Sequence, residues 1–272
     1  MHLKLDEERA LLQDTVRAFA KEQVRPKARD WEERGHIDDD ALDACWQLGF
    51  ASMGAGPSYG GAADEDDATP SALTNAIVLE ELACADLGFA LAATSPMHAV
   101  VPLLVCGHEG LKREILPALL ASASLPKATG AWIEPSRAFD LRSMSSRSSS
   151  TTQGPVLTGT KTLVPRANDS TVTVTIARAR SSDDAFAFEP YLALGANVSG
   201  MSRGKRCDVI GPRAVDLVEL SFDECNVRPL AAKPGVAHAL LEERVLVGTA
   251  AASLGVARAA CEYAVGYARD RR

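Results

Sequence analysis

Glu242 and Glu243, followed by Arg244, are the residues of this chain best placed to do chemistry. They stand near the start of a helical run from Val236 to Arg272 that is otherwise rich in Ala, Val, Leu and Gly. A carboxylate in an apolar setting can serve as a general base when a substrate proton lies within hydrogen-bond reach. The same acids have a plainer use, because negative charge in a first turn favours the helix dipole. Of the two, Glu242 is expected to face solvent. Arg244 can line a pocket or hold Glu243 in an ion pair. His98 is a second titratable residue in an apolar stretch, read as a packed or solvated histidine. Cys45, Cys84, Cys106, Cys207, Cys225 and Cys261 are scattered, with no C-x-x-C pair and no histidine cluster. That spacing argues against a zinc or redox motif, and no metal site is expected.

The helix carrying the acidic pair must itself be held. Val245, Leu246, Val247, Gly248, Ala250 to Ala252, Leu254, Gly255 and Val256 make it apolar over most of its circumference. A surface helix confines its apolar residues to one stripe, so this one needs partner helices.

Upstream, the chain opens with helices. Asp6 can cap one that contains Leu11, Leu12, Val16, Phe19, Ala20 and Val24, and Pro26 should break it. Further helices are predicted from Asp40 to Leu48, from Thr69-Pro70 onward with Ile77, Val78, Leu82 and Ala85 on one face, from Met97 to Cys106, and from Gly110 to Leu120. An acidic loop, Asp64 to Asp67, and a turn at Tyr59-Gly60-Gly61 lie between them.

Near Leu125 the period changes to two. Ala131-Trp132-Ile133 reads as a short strand, and Thr158-Gly159 as a hairpin or bend between Val156-Leu157 and Leu163-Val164. Val172, Val174 and Ile176 alternate as in a half-buried strand, and Leu217 to Phe222 alternates similarly. Ser143 to Gln153 is read as a solvent-facing strand plus loop, and Ala179 to Asp184 as a second Ser/Arg-rich stretch. Helices, then strands, then a helix give an α+β class with segregated elements. No G-x-G-x-x-G follows a strand, which disfavours a Rossmann site.

Composition narrows the partners. The 272 residues are 46% hydrophobic and 24% charged, with 29 basic and 36 acidic side chains and a net charge of −7. No nucleic-acid partner is expected from that balance. The cluster Arg203, Lys205 and Arg206 is read as a solvated loop. The N-terminus has no apolar signal region, and no stretch is read as long and apolar enough to span a bilayer, so a cytoplasmic location with reduced thiols is expected.

An ordered series of short motifs resembles the acyl-CoA dehydrogenase family. It comprises Leu5-Asp6-Glu7-Glu8-Arg9, Val16 to Ala20, Val24-Arg25-Pro26, Leu48-Gly49-Phe50, Tyr59-Gly60-Gly61, Glu80-Glu81-Leu82-Ala83, Gly107-His108-Glu109, Leu116-Pro117, Glu219 to Asp223, Glu243-Arg244 and Tyr267 to Arg271. The resemblance runs through the whole chain. It implies an N-terminal all-helical domain (1–125), a middle β-barrel-like or β-sandwich domain (126–230), and the first helix of a C-terminal four-helix bundle (231–272). It also implies FAD, an acyl-CoA substrate oxidised to the 2-enoyl thioester, an electron-transfer flavoprotein as acceptor, and a homo- or hetero-oligomer.

Site residues follow from the same resemblance. Glu243 stands where one branch of the family carries its catalytic base, with Arg244 and Leu241 toward the substrate. Ile133-Glu134-Pro135-Ser136-Arg137-Ala138-Phe139-Asp140 stands where the family has a Thr-Glu-Pro-Gly-x-Gly-Ser-Asp flavin segment. Trp132, Ile133, Leu163, Val164 and Pro165 are thereby placed at the cofactor, and Phe139 between cofactor and substrate. Ile133 lacks the expected hydroxyl, and Pro165 has neither hydroxyl nor N–H. The remaining bundle helices have no counterpart here, so the chain is read as a divergent, C-terminally truncated member. On this reading it aggregates, recruits a partner chain or holds little cofactor. A non-catalytic subunit that binds acyl-CoA, and a flavoenzyme of other chemistry on the same fold, stay open beside the dehydrogenase.

Overall fold

The computed structural model describes residues 4–63, 71–135, 144–179, 188–231 and 237–271. Among these, α1 (Glu7–Phe19) is capped by Asp6, whose carboxylate accepts from Arg9 N at 2.8 Å. Leu12 and Val16 are buried at its helical spacing, whereas Leu11 from the same predicted face is exposed. A wider turn, Ala20–Val24, carries the chain to the break at Pro26. Then follow α2 (Ala28–Arg34), α3 (Asp39–Trp46), α4 (Ala72–Ala85), α5 (Leu87–Ala93), α6 (Met97–Cys106) and α7 (Glu109–Leu120). Ser71 caps α4 and Asp86 caps α5, each accepting from a backbone N–H three residues on. The helix predicted from Thr69 therefore begins at Ala72; Thr69, Pro70 and the acidic loop lie outside the described residues. Trp31 of α2 stacks on Phe89 of α5 with ring centroids 5.4 Å apart, two short helices that carry no long periodic signal.

The strands are β1 (Ala128–Ala131), β2 (Arg147–Thr151), β3 (Gly154–Pro165), β4 (Val172–Ala179), β5 (Phe188–Leu194), β6 (Met201–Arg206), β7 (Leu217–Asn226) and β8 (Arg228–Pro229). They pair in the order β6-β7-β3-β2-β4-β5-β8, with β1 parallel to β4. Ala131, Leu157, Val164, Ala177, Tyr191, Val218, Leu220 and Phe222 share one buried cluster. Contact among residues from both ends of the strand order means the sheet curls around its own core.

Four local readings change. Thr158-Gly159 is a bulge within the continuous strand β3, and the tight turn falls at Thr152-Gln153 instead. β4 is buried on both faces, not half-buried, because helices cover one side and the curled sheet the other. Within the solvent-facing strand, Ser148 is buried and shares a 2.5 Å hydrogen bond with the Tyr191 hydroxyl. Arg203 and Arg206 lie in β6 rather than a loop. Arg203 donates to the carbonyls of Ala167, Ala196 and Ser170, and Arg206 to those of Gly35, Arg213 and Val215. Arg206 thus ties the sheet to α2. The stretch from 180 to 184 lies outside the described residues.

The last helix, α8 (Ala237–Asp270), lies along α4. Contact runs through small residues. A Cβ on Gly248 would stand 3.2 Å from Leu79 Cδ1, and one on Gly255 only 2.3 Å from the Glu80 carbonyl oxygen. Ala251 is buried on the same stripe, while Leu246, Leu254, Val256, Tyr263, Val265 and Tyr267 are exposed. The helix covers only one stripe of its apolar circumference within this chain. Residues Leu241–Asp270 are long and apolar enough by composition to cross a membrane, which corrects the reading that no stretch is. One stripe of this helix nevertheless packs on α4, and Arg258 on it is ion-paired with Glu80 and Glu81.

Candidate active site

Two chain segments are joined by one ion pair. Ile133 bridges Thr162, with Thr162 N donating to Ile133 O at 2.7 Å. One residue on, Glu134 turns inward. Its carboxylate accepts from Ser145 N and Oγ, both at 2.6 Å, from Ser146 N at 2.9 Å and from Lys161 Nζ at 3.0 Å. Lys161 is fully buried and the Glu134 side chain is 10% exposed. Burial alone would raise the Glu134 pKa, but the serine donors and the Lys161 charge outweigh it and hold the carboxyl down at about 2. Burial, the larger effect, pushes the Lys161 pKa downward, and the Glu134 carboxylate beside it pushes it part of the way back.

This pair sets the surface above it. Ile133 and Leu163 are 37% and 38% exposed, and the Ile133–Thr162 bridge brings their segments side by side. Leu163 has φ of 55°, a left-handed conformation that costs a non-glycine residue about 1–3 kcal/mol. It sits at a register shift between β3 and β7. The strain turns Leu163 outward while Val164 and Pro165 stay buried. The Pro165 carbonyl accepts from Thr129 Oγ1 at 2.6 Å.

Trp132 packs partly buried beside Cys106 and against the cluster of Met144, Ile176, Phe188 and Leu241. It also crowds Gly130, where a Cβ would stand 2.4 Å from Trp132 Nε1 and 2.6 Å from His98 Cβ. The strand can pass there only as glycine. His98 is packed, as read; burial pushes its pKa down to about 4, and its buried Nδ1 has no partner.

The structure therefore brings Trp132 and Leu241 into one cluster and sets Ile133 beside Thr162-Leu163. Glu243 stands apart from both. On a helix turning about 100° per residue it points about 200° away from Leu241. Glu242 and Glu243 are both exposed, and Arg244 is half-buried. Phe139 lies outside the described residues. Of the residues expected at a cofactor, Val164 and Pro165 have buried side chains, so only their backbone can reach one.

Ile133 and Leu163 expose apolar surface on two adjacent segments. Neither side chain, nor that of Pro165, can donate a hydrogen bond, which leaves polar recognition to backbone groups and to Thr162. The Glu134–Lys161 tie was not found as a contact from sequence. Its residues lie 27 positions apart, and only the presence of both types hinted at it.

Comparison with known proteins follows this geometry. Residues 6–123 match the family model for the acyl-CoA dehydrogenase N-terminal domain. A probable acyl-CoA dehydrogenase, fadE25 of Mycobacterium leprae, is 28% identical over 276 residues, covering 99% of this chain and 68% of its own length. The butyryl-CoA dehydrogenase of Megasphaera elsdenii superposes with a TM-score of 0.81 at 22% identity, over 98% of this chain and 70% of that one. A glutaryl-CoA dehydrogenase of Mycobacterium smegmatis, in complex with FADH2, gives 0.78 at 22% identity, over 98% and 67%.

Proposed function

We propose that the chain, similar over residues 6–123 to the acyl-CoA dehydrogenase N-terminal domain and along its length to dehydrogenases of that family, takes part in FAD-dependent α,β-dehydrogenation of an acyl-CoA thioester. The observation that supports this reading most is the platform of Ile133 and Leu163 above the buried Glu134–Lys161 tie. A relative of the same fold is in complex with FADH2, the reduced form of the cofactor this reading requires.

In the proposed reaction the thioester loses a proton from its α-carbon and a hydride from its β-carbon, giving the 2-enoyl thioester. Bound FAD supplies the hydride acceptor. Glu243 takes the α-proton on its carboxylate, a role open to an exposed side chain that substrate can approach. Leu241, seated against Met144, Ile176 and Phe188, anchors the helix two residues before that carboxylate. Arg244 lines the substrate side. The Glu134–Lys161 tie keeps the two cofactor segments at fixed separation, which is the preorganisation such a reaction demands. Reoxidation by an electron-transfer flavoprotein, a homo- or hetero-oligomeric assembly and a cytoplasmic location complete the reading.

The test is anaerobic addition of acyl-CoA thioesters to the purified protein while its flavin absorbance is followed. Bleaching in the parent and none in Glu243→Gln supports the proposal; equal bleaching in both rules out Glu243 as base. The absence of side-chain donors at Ile133, Leu163 and Pro165 favours one second reading, a subunit that binds acyl-CoA but little FAD. A colourless protein that still binds the thioester would select it.

A further inference from the structure

The contact between α8 and α4 is close. Gly248 and Gly255 admit Leu79 and the Glu80 carbonyl where a Cβ would stand 3.2 Å and 2.3 Å away, so only a glycine fits at the second position and the close approach itself restrains sliding. Arg258 adds directional contacts, one turn before Glu262, which pairs with Arg25 at 3.4 Å. Arg258 donates from Nη1 to Glu80 Oε1 at 2.5 Å and to Glu81 Oε1 at 3.2 Å, from Nη2 to Glu81 Oε2 at 2.6 Å, and from Nε to Cys84 Sγ at 3.3 Å.

Glu81 is held equally firmly from the other side. It is 2% exposed, and it accepts from Arg17 Nη2 at 2.8 Å, Arg17 Nε at 3.2 Å and Gln13 Nε2 at 3.2 Å. Its carboxylate therefore cannot follow Arg258 if α8 shifts. A planar guanidinium forked onto a fixed carboxylate accepts one geometry, and a slip of one helical turn, about 5.4 Å, would break every one of these bonds.

We infer that Glu81 and Arg258 are positioning residues that set the axial register of α8 on α4 and so fix where Glu243 stands. This rests on the proposed role of Glu243, but the register itself does not. Leu241 in its socket marks one end of the anchored span and Arg258 the other, and between them the helix is a rod of about 26 Å. Buried ion pairs often add little net stability while discriminating among alternative packings, and here the pair acts beside the close approach at Gly255.

The experiment uses the purified protein, with any chain that co-purifies, in four forms: parent, Arg258→Lys, Arg258→Met and Glu81→Gln. Hydrogen exchange of amides 241–250, remote from the substitutions, is read beside kcat and KM for an acyl-CoA thioester. Arg258→Met and Glu81→Gln should speed exchange at 241–250 by about tenfold, with Arg258→Lys restoring most of the protection. They should lower kcat by about tenfold, and KM should rise as well, since Arg244 moves with Glu243 on the same helix. Faster exchange confined to residues 255–262, with 241–250 and kcat unchanged, would overturn the inference. If Arg258→Met fails to fold, Glu81→Gln is read the same way. If Glu243→Gln keeps full turnover while 241–250 still loosens, the register holds and the base assignment falls.

Discussion

Lys161 Nζ stands 3.0 Å from Glu134 Oε1, with the lysine wholly out of solvent. Removing one member of such a pair leaves a buried charge uncompensated, while removing both does not. Lys161→Met should therefore cost about 3–5 kcal/mol in denaturant unfolding. The double variant Lys161→Met, Glu134→Gln should regain part of that loss. Equal losses in single and double variants would show that the ammonium does not compensate the carboxylate.

Acid stability should fall in two stages. His98 has a folded pKa of about 4 against an ordinary 6.5, so the unfolded chain binds the extra proton first. Its contribution is complete above 6.5 and is lost as pH falls to about 4. Glu134, at about 2 against 4.5, contributes fully above 4.5 and loses that contribution as pH falls toward 2. His98→Gln should flatten the upper stage alone, and Lys161→Met should move the lower stage to higher pH, both read from unfolding midpoints between pH 2 and 7.

Two glycines in α8 should respond oppositely to alanine. A Cβ at Gly255 collides with the Glu80 carbonyl, whereas nothing lies within 4 Å at Gly266. Gly255→Ala should lose about 1–3 kcal/mol by forcing α8 away from α4. Gly266→Ala should gain about 0.5–1 kcal/mol from helix propensity. Thermal unfolding of both variants checks the close approach against an internal control.

Leu163→Gly should be stability-neutral or slightly favourable despite loss of a large apolar side chain. The left-handed backbone there costs leucine about 1–3 kcal/mol, and its partial exposure means little burial is forfeited. If Leu163 forms the cofactor platform, the same variant should bind FAD more weakly. A variant that is destabilised yet holds FAD normally would assign Leu163 to packing instead.

What could be read in advance was local. Asp6 announces α1 because a side-chain oxygen three residues from a free N–H is a capping signal. Met97 to Cys106 coincides with α6, a nearly continuous run of nine apolar residues broken by His98 and too long for a typical buried strand. Gly159 was misread because glycine marks a turn and a bulge alike, and only pairing with β7 decides between them. The Glu81–Arg258 pair spans 177 positions, and no local pattern links such residues. Glu243 was legible as a carboxylate on an apolar helix. That Leu241, about 200° round the helix, is the residue seated against Met144, Ile176 and Phe188 depends on how α8 docks on the sheet.

The long pairing of β3 with β7, from Val156–Asn226 to Pro165–Leu217, has a kinetic consequence. It closes a loop of about 50–70 residues, and such non-local contacts form slowly because chain entropy is lost before they repay it. β3 supplies both Lys161 and Leu163. Until that closure the lysine has no sheet to bury it and Leu163 no register shift to hold its backbone. The surface around Leu163 therefore matures late, and a chain interrupted earlier in folding exposes β3 as an unpaired, aggregation-prone edge.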